Sequence, residues 1–190
     1  MQKRNLFIIH SLNGNTKNSF AESIQELCSN NDIDYYYLEF PTGENANYED
    51  WEKILDQYYD QGLINRNTIM IGHSLGADFV PIYLTRKEIS IYAFISVAGF
   101  LVYDGDNQQI LSTKKKFNLS ANILSQVKDL ITDRYSIYSD NDPISPISRL
   151  KEYAKLLEST LVLVSGGGHF GPKSNVSEIK ELNEIILNLK

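Results

Sequence analysis

The stretch Thr68–Tyr83, TIMIGHSLGADFVPIY, constrains this chain more than any other. Thr68 to Ile71 is a short apolar, β-branched run, the mark of a strand buried on both faces. Gly72-His73-Ser74-Leu75-Gly76 reads as a sharp turn, and Phe79, Val80, Tyr83 and Leu84 continue at helical spacings. The pattern is G-x-S-x-G between a strand and a helix, the setting of a nucleophile elbow. Reversing a strand into a helix within one residue strains the backbone at that residue. The positions two residues to either side must then be small, and Gly72 and Gly76 meet that need. Ser74 is left at the apex with the positive end of a helix beneath it, where developing negative charge is favoured.

The remaining elements alternate around this unit. Strands are expected at Leu6–Ile9, Asp34–Phe40, Ile91–Val97, Arg134–Tyr138 and Thr160–Val164. Helical spacing of apolar residues predicts helices over Ser19–Cys28, Tyr48–Tyr59, Ala121–Ile131, Ile147–Leu157 and Val176–Leu189. Alternating strands and helices predict an α/β fold: a three-layer α/β/α sandwich on a mostly parallel sheet of about six strands. At 190 residues a single domain over residues 1–190 is expected. Residues 100–120 break the rhythm, with Asp104-Gly105-Asp106-Asn107 and few periodic apolars, and read as a lid or a loop excursion. The cluster Lys114-Lys115-Lys116 within it reads as a solvated face.

In such sheets the loops after the C-terminal strand ends gather at one edge, where ligands bind. A serine hydroxyl needs a base in hydrogen-bond reach, and the base needs an acid to orient it. Of the three histidines, His10 ends the first strand, and the side chain of His73 is expected to point away from Ser74. His169 follows the last strand within Gly166-Gly167-Gly168-His169-Phe170-Gly171, glycines that suggest flexibility around a base. Asp140 and Asp142 follow the Arg134–Tyr138 strand. Asp142 is favoured because Pro143 restricts its backbone to an extended form, whereas Asp140 can cap the turn. The oxyanion formed on attack needs two N–H donors, expected from Leu75 and from Leu12 in the loop after the first strand. Phe100, Leu101, Val102 and Tyr103 are candidates for the pocket wall, with Leu75 and Phe170 at its rim.

Other chemistries fit poorly. Eighteen basic against 24 acidic residues give a net charge of −6, which disfavours nucleic acid as a partner. No metal is expected: Asp140-Asn141-Asp142 opens like a calcium loop but has Ser145 and Lys151 where that loop needs glycine and glutamate, and the histidines lack zinc spacing. No apolar run approaches a membrane span, and the N-terminus lacks the pattern of a secretory leader. With the single cysteine, Cys28, excluding an internal disulfide, a cytoplasmic location is expected.

Four segments together, FIIHSLNGN, IMIGHSLGADFVPIY, YSDNDPISP and GGGHF, resemble the α/β-hydrolase superfamily. Within it the chain is similar to the small retinoblastoma-binding serine hydrolases and their bacterial relatives. The resemblance implies a compact hydrolase, with no cofactor, whose acid is the aspartate before proline, Asp142, and whose base is the histidine of G-H-F, His169. One departure is His10-Ser11, where many superfamily members have His-Gly. The expectation is a carboxylesterase that cleaves small acyl esters through an acyl-enzyme on Ser74. The competing expectation is a protein-interaction module on a hydrolase scaffold.

Overall fold

The computed structural model describes residues 3–189; the expected domain's first two residues and its last lie outside the described residues. Six strands, β1 (Arg4–Ile9), β2 (Ile33–Leu38), β3 (Thr68–His73), β4 (Ile91–Val97), β5 (Ile131–Ser139) and β6 (Thr160–Val164), form one sheet in the order β2-β1-β3-β4-β5-β6. Every neighbouring pair is parallel. The seven α-helices among the described residues are α1 (Ala21–Asn30), α2 (Tyr48–Asp60), α3 (Leu75–Lys87), α4 (Gln108–Phe117), α5 (Ala121–Val127), α6 (Ile147–Leu157) and α7 (Lys180–Asn188).

The period-two alternation of the strands divides the core. Leu6, Ile8, Ile69 and Ile71 face α1 and α7, while Phe7, Ile9 and Met70 face the layer that contains α2, α3, α5 and α6. The central strands are buried on both sides, which is why β3 and β4 read as unbroken apolar runs rather than as alternating ones. The edge strand β6 differs: Leu161 and Leu163 are 43% and 48% exposed.

Element boundaries shift from expectation for local reasons. The segment after Val127 tightens into a 3-10 turn at Lys128–Leu130 and enters β5 at Ile131, so α5 is shorter than expected and β5 longer. The closing helix begins at Lys180 rather than Val176, and a 3-10 turn at Pro172–Ser174 precedes it. Residues 100–120 contain α4, whose N-terminus is capped by the Asn107 side chain accepting from the Gln109 and Ile110 N–H groups. Inside α3, Pro81 has no N–H to give the Ala77 carbonyl one turn earlier. The Tyr153 hydroxyl donates to that carbonyl instead, at 2.6 Å, and ties α6 to the elbow helix.

Candidate active site

Ser74 occupies the junction of β3 and α3 with φ 53° and ψ −106°, a left-handed backbone that a non-glycine residue adopts only under constraint. The constraint is visible at its neighbours. A Cβ on Gly72 would lie 2.6 Å from the Gly76 carbonyl oxygen, and one on Gly76 would overlap the Ile9 carbonyl oxygen. The two glycines therefore let β3, α3 and the end of β1 approach backbone to backbone.

Two loops bring a line of side chains to Ser74. His169 Nε2 lies 2.9 Å from Ser74 Oγ, and His169 Nδ1 lies 2.8 Å from Asp142 Oδ2. A carboxylate only accepts, so Nδ1 carries the proton and Nε2 is left to accept from the serine hydroxyl. The Asp142 side chain is fully buried, whereas that of His169 is 18% exposed and open to the pocket. The second oxygen of Asp142 accepts from the Ile144 and Ser145 N–H groups, at 2.7 and 3.1 Å. The carboxylate thus has three donors, and its orientation toward His169 is fixed.

Asp140 does not touch His169. It accepts from Ser165 Oγ (2.7 Å) and the Gly166 N–H (2.8 Å), bonds that hold its carboxyl below the usual carboxylate range. Asn141 Oδ1 accepts from the Gly168 N–H at 2.7 Å. The glycine-rich loop, read from sequence as flexible, is instead tied to the β5 loop on both sides of Gly167. Its glycines serve geometry: Gly166 and Gly168 have φ +73° and +55°, and a Cβ on Gly167 would meet the Phe170 ring.

The pocket beside Ser74 has a volume of about 360 Å³, and Leu12, Leu75, Phe100 and Ile110 supply apolar lining. The Leu75 N–H is at the first position of α3, where the preceding turn offers no helical partner. Among the described residues the Leu12 N–H meets no acceptor, while the Leu12 carbonyl accepts from Gly43 N–H at 2.9 Å and anchors the loop. Of the four candidates for the wall, only Phe100 lines the pocket; Leu101, Val102 and Tyr103 do not. Phe170 is also displaced from the expected rim, being fully buried in the core beneath the loop.

Sequence reasoning missed a polar wall. Lys114 was expected on a solvated face. It instead reaches from α4 to buried Asp78 on α3 (Nζ–Oδ2 2.6 Å) and to the Phe100 carbonyl (2.5 Å), with its ammonium 4.2 Å above the Phe100 ring centre. Burial pushes the Asp78 carboxyl up, and the adjacent ammonium opposes that shift. The signal available in the sequence was an acid four residues after the serine, on a helix otherwise apolar in its first two turns.

The parallel sheet, its helical layers and the strained serine after β3 define an α/β hydrolase. The family model for serine hydrolases matches residues 6–187, and the chain belongs to that family. A putative hydrolase of Bacillus subtilis, YdeN, is 24% identical over 169 residues, covering 88% of this chain and 86% of that protein. The crystal structure of the B. subtilis ydeN product superposes with a TM-score of 0.83 at 21% identity, over 99% of this chain and 98% of that one. A carboxylesterase structure from Nitrososphaera gargenis gives a TM-score of 0.68 at 15% identity, over 98% and 89% of the two chains. Likenesses at these identities show the fold.

Cys28 lies in the core between α1 and the sheet, where burial pushes its thiol up to about 12 and makes it a poor nucleophile. Among the described residues no helix is long and apolar enough to cross a membrane.

Proposed function

We propose that this hydrolase is a carboxylesterase acting on small acyl esters, with Ser74 as nucleophile, His169 as base and Asp142 as the acid that orients it. The observation that carries this reading is the continuous chain of hydrogen bonds from Ser74 Oγ through His169 to Asp142, at 2.9 and 2.8 Å. The three residues come from separate loops at one sheet edge. Folding alone does not require such a line, and nucleophilic catalysis does.

In the proposed reaction His169 Nε2 takes the Ser74 proton as Oγ attacks the ester carbonyl. The Leu75 and Leu12 N–H groups hold the resulting oxyanion, and each such donor is worth on the order of a hundredfold or more in rate. Asp142 stabilises the imidazolium without taking its proton. His169 then protonates the departing alcohol, and water cleaves the acyl-enzyme by the same route. The pocket of about 360 Å³ suits a compact acyl group. A reducing, cytoplasmic setting is consistent with the one buried cysteine.

A fluorophosphonate probe, followed by mass location of the adduct, tests the reading on the wild type and on Ser74→Ala and His169→Ala. The expected outcome is labelling at Ser74 that is lost in both variants, together with turnover of p-nitrophenyl esters that favours short acyl chains. Ser74→Ala should lower turnover by about a millionfold. A well-folded wild-type protein that is not labelled would overturn the reading and favour the interaction module.

A further inference from the structure

The residue immediately before the serine, His73, belongs to none of the proposed catalytic roles, yet it is one of the most constrained polar side chains in the molecule. It is buried, with its Nε2 2.8 Å from the backbone carbonyl oxygen of His169 and its Nδ1 2.6 Å from the hydroxyl of Thr16. Thr16 is fully buried as well, and its hydroxyl oxygen accepts from the Ser11 N–H at 3.1 Å.

The partners fix every proton in this chain. A backbone carbonyl only accepts, so Nε2 of His73 must carry hydrogen. In the neutral ring Nδ1 is then a lone pair, and the Thr16 hydroxyl donates to it. The Thr16 oxygen is left free to accept from Ser11. The sequence of donation runs Ser11 N–H to Thr16 Oγ, Thr16 O–H to His73 Nδ1, and His73 Nε2–H to the His169 carbonyl. Burial keeps the ring neutral, lowering its pKa to about 3.

The two ends of this chain are what give it meaning. One end is the backbone of His169. The other is Ser11, the residue before Leu12, in the loop that presents the second oxyanion donor. His73 itself is the last residue of β3 and is paired with Val97 in the middle of the sheet. We propose that His73 is a positioning residue that, with Thr16, holds the base loop and the oxyanion loop at a fixed separation around Ser74. The proposal rests on the reading of Ser74, His169 and Leu12 given above. Geometry at a reacting centre is sensitive to such a brace, since a misplacement of about 1 Å can cost on the order of a hundredfold in rate.

Two measurements test it. Nitrogen-15 NMR of uniformly labelled wild-type protein reads the tautomer, and an Nε2–H tautomer for His73 is expected; an Nδ1–H tautomer would overturn the proposal without any mutation. The second measurement is the rate of fluorophosphonate labelling, with kcat and KM for a p-nitrophenyl ester, in variants of native circular dichroism. Thr16→Val removes the hydroxyl and keeps the side-chain shape. It is expected to slow labelling and kcat by about tenfold to a hundredfold with KM little changed. Thr16→Ser returns the hydroxyl and is expected to restore the rate. Labelling of Thr16→Val within about twofold of wild type would overturn the proposal. His73→Gln, which keeps a side-chain donor but loses the Nδ1 acceptor, takes its place if Thr16→Val does not fold. Failure of the underlying reading has a separate signature, a wild-type protein that is itself not labelled.

Discussion

Two glycine-rich segments flank the same site and use glycine for opposite purposes. At the elbow, Gly72 and Gly76 are small because backbone lies against them; a Cβ at either would strike a carbonyl. In the histidine loop, Gly166 faces open space at φ +73°, so the requirement there is one of conformation; a Cβ on Gly167 or Gly168 would meet side chains, the Phe170 ring and Ser174, rather than a carbonyl. The elbow is held by close packing of main chain on main chain. The histidine loop is held by hydrogen bonds, from Ser165 and Gly166 to Asp140, from Gly168 to Asn141 and from His73 to the His169 carbonyl. Packing makes the elbow insensitive to solution conditions but intolerant of added volume. Hydrogen bonding makes the histidine loop tolerant of volume at Gly166 but dependent on particular side chains and on their protonation.

The comparison is broken most severely by removing a charge rather than a volume. Asp142→Asn keeps the size of the side chain but presents an amide to His169, favouring the wrong imidazole tautomer. In the general Ser-His-Asp template that change lowers kcat by about ten-thousandfold. The same loss is expected here in ester turnover, with unfolding by urea little affected. A variant within about tenfold of wild type would remove Asp142 from its proposed role.

Gly76→Ala is the corresponding break at the elbow. The added methyl overlaps the Ile9 carbonyl, and no flexible side chain can give way. Inserting a carbon into packed structure usually costs 1–3 kcal/mol, and a backbone contact should place this variant at about 3 kcal/mol or beyond. Urea denaturation measures it. A midpoint equal to wild type would mean that β1 and α3 can separate, and that close packing is not what holds the serine.

The same contrast governs what could be read from the chain before its structure. The elbow was legible because its requirements are local: a β-branched run, two glycines at fixed offsets and a helix, all within the span of Thr68–Tyr83. The parallel sheet was legible from alternation, and Asp142 from the proline that follows it. The latch on the histidine loop was not, because Asp140 and Gly166 lie 26 residues apart and a run of three glycines reads as freedom rather than as two demanding φ angles and one close approach to a ring. The Lys114–Asp78 pair was hidden for a similar reason. Its partners are 36 residues apart on two helices, and one of them sits in a run of lysines whose other members do face outward or reach backbone carbonyls. Patterns report the period of an element; they do not report which side chain crosses between elements.

Acid should loosen the histidine loop before it affects the elbow. His73 has its pKa lowered from an ordinary 6.5 to about 3 by burial, so the unfolded chain binds a proton in that window and the folded chain does not. Stability is therefore expected to fall as pH drops from about 6.5 toward 3, and His10, lowered by burial too, acts in the same direction. Buried Asp78, whose pKa is raised, acts in the opposite direction, so the contribution of His73 must be isolated by difference. Melting temperatures of wild type and His73→Gln between pH 4 and 7 should converge as pH falls, wild type losing several degrees more than the variant. Parallel curves would show that the neutral imidazole contributes nothing to holding the loop.

The smallest effect is expected at Gly166, and it is the sharpest test of the difference between the two segments. A Cβ there meets nothing within 4 Å, so the packing penalty that dominates at Gly76 is absent. What remains is the strain of a non-glycine residue at φ +73°, on the order of 1 kcal/mol. The backbone N–H of residue 166 still donates to Asp140, because alanine changes the side chain and not the main-chain donor. Gly166→Ala should therefore fold, lose about 1 kcal/mol in urea denaturation and retain fluorophosphonate labelling within about threefold of wild type. A loss of labelling as large as that of His169→Ala would mean that the loop must flex during the reaction. The hydrogen bonds to Asp140 and Asn141 would then describe a resting state rather than the frame in which His169 works.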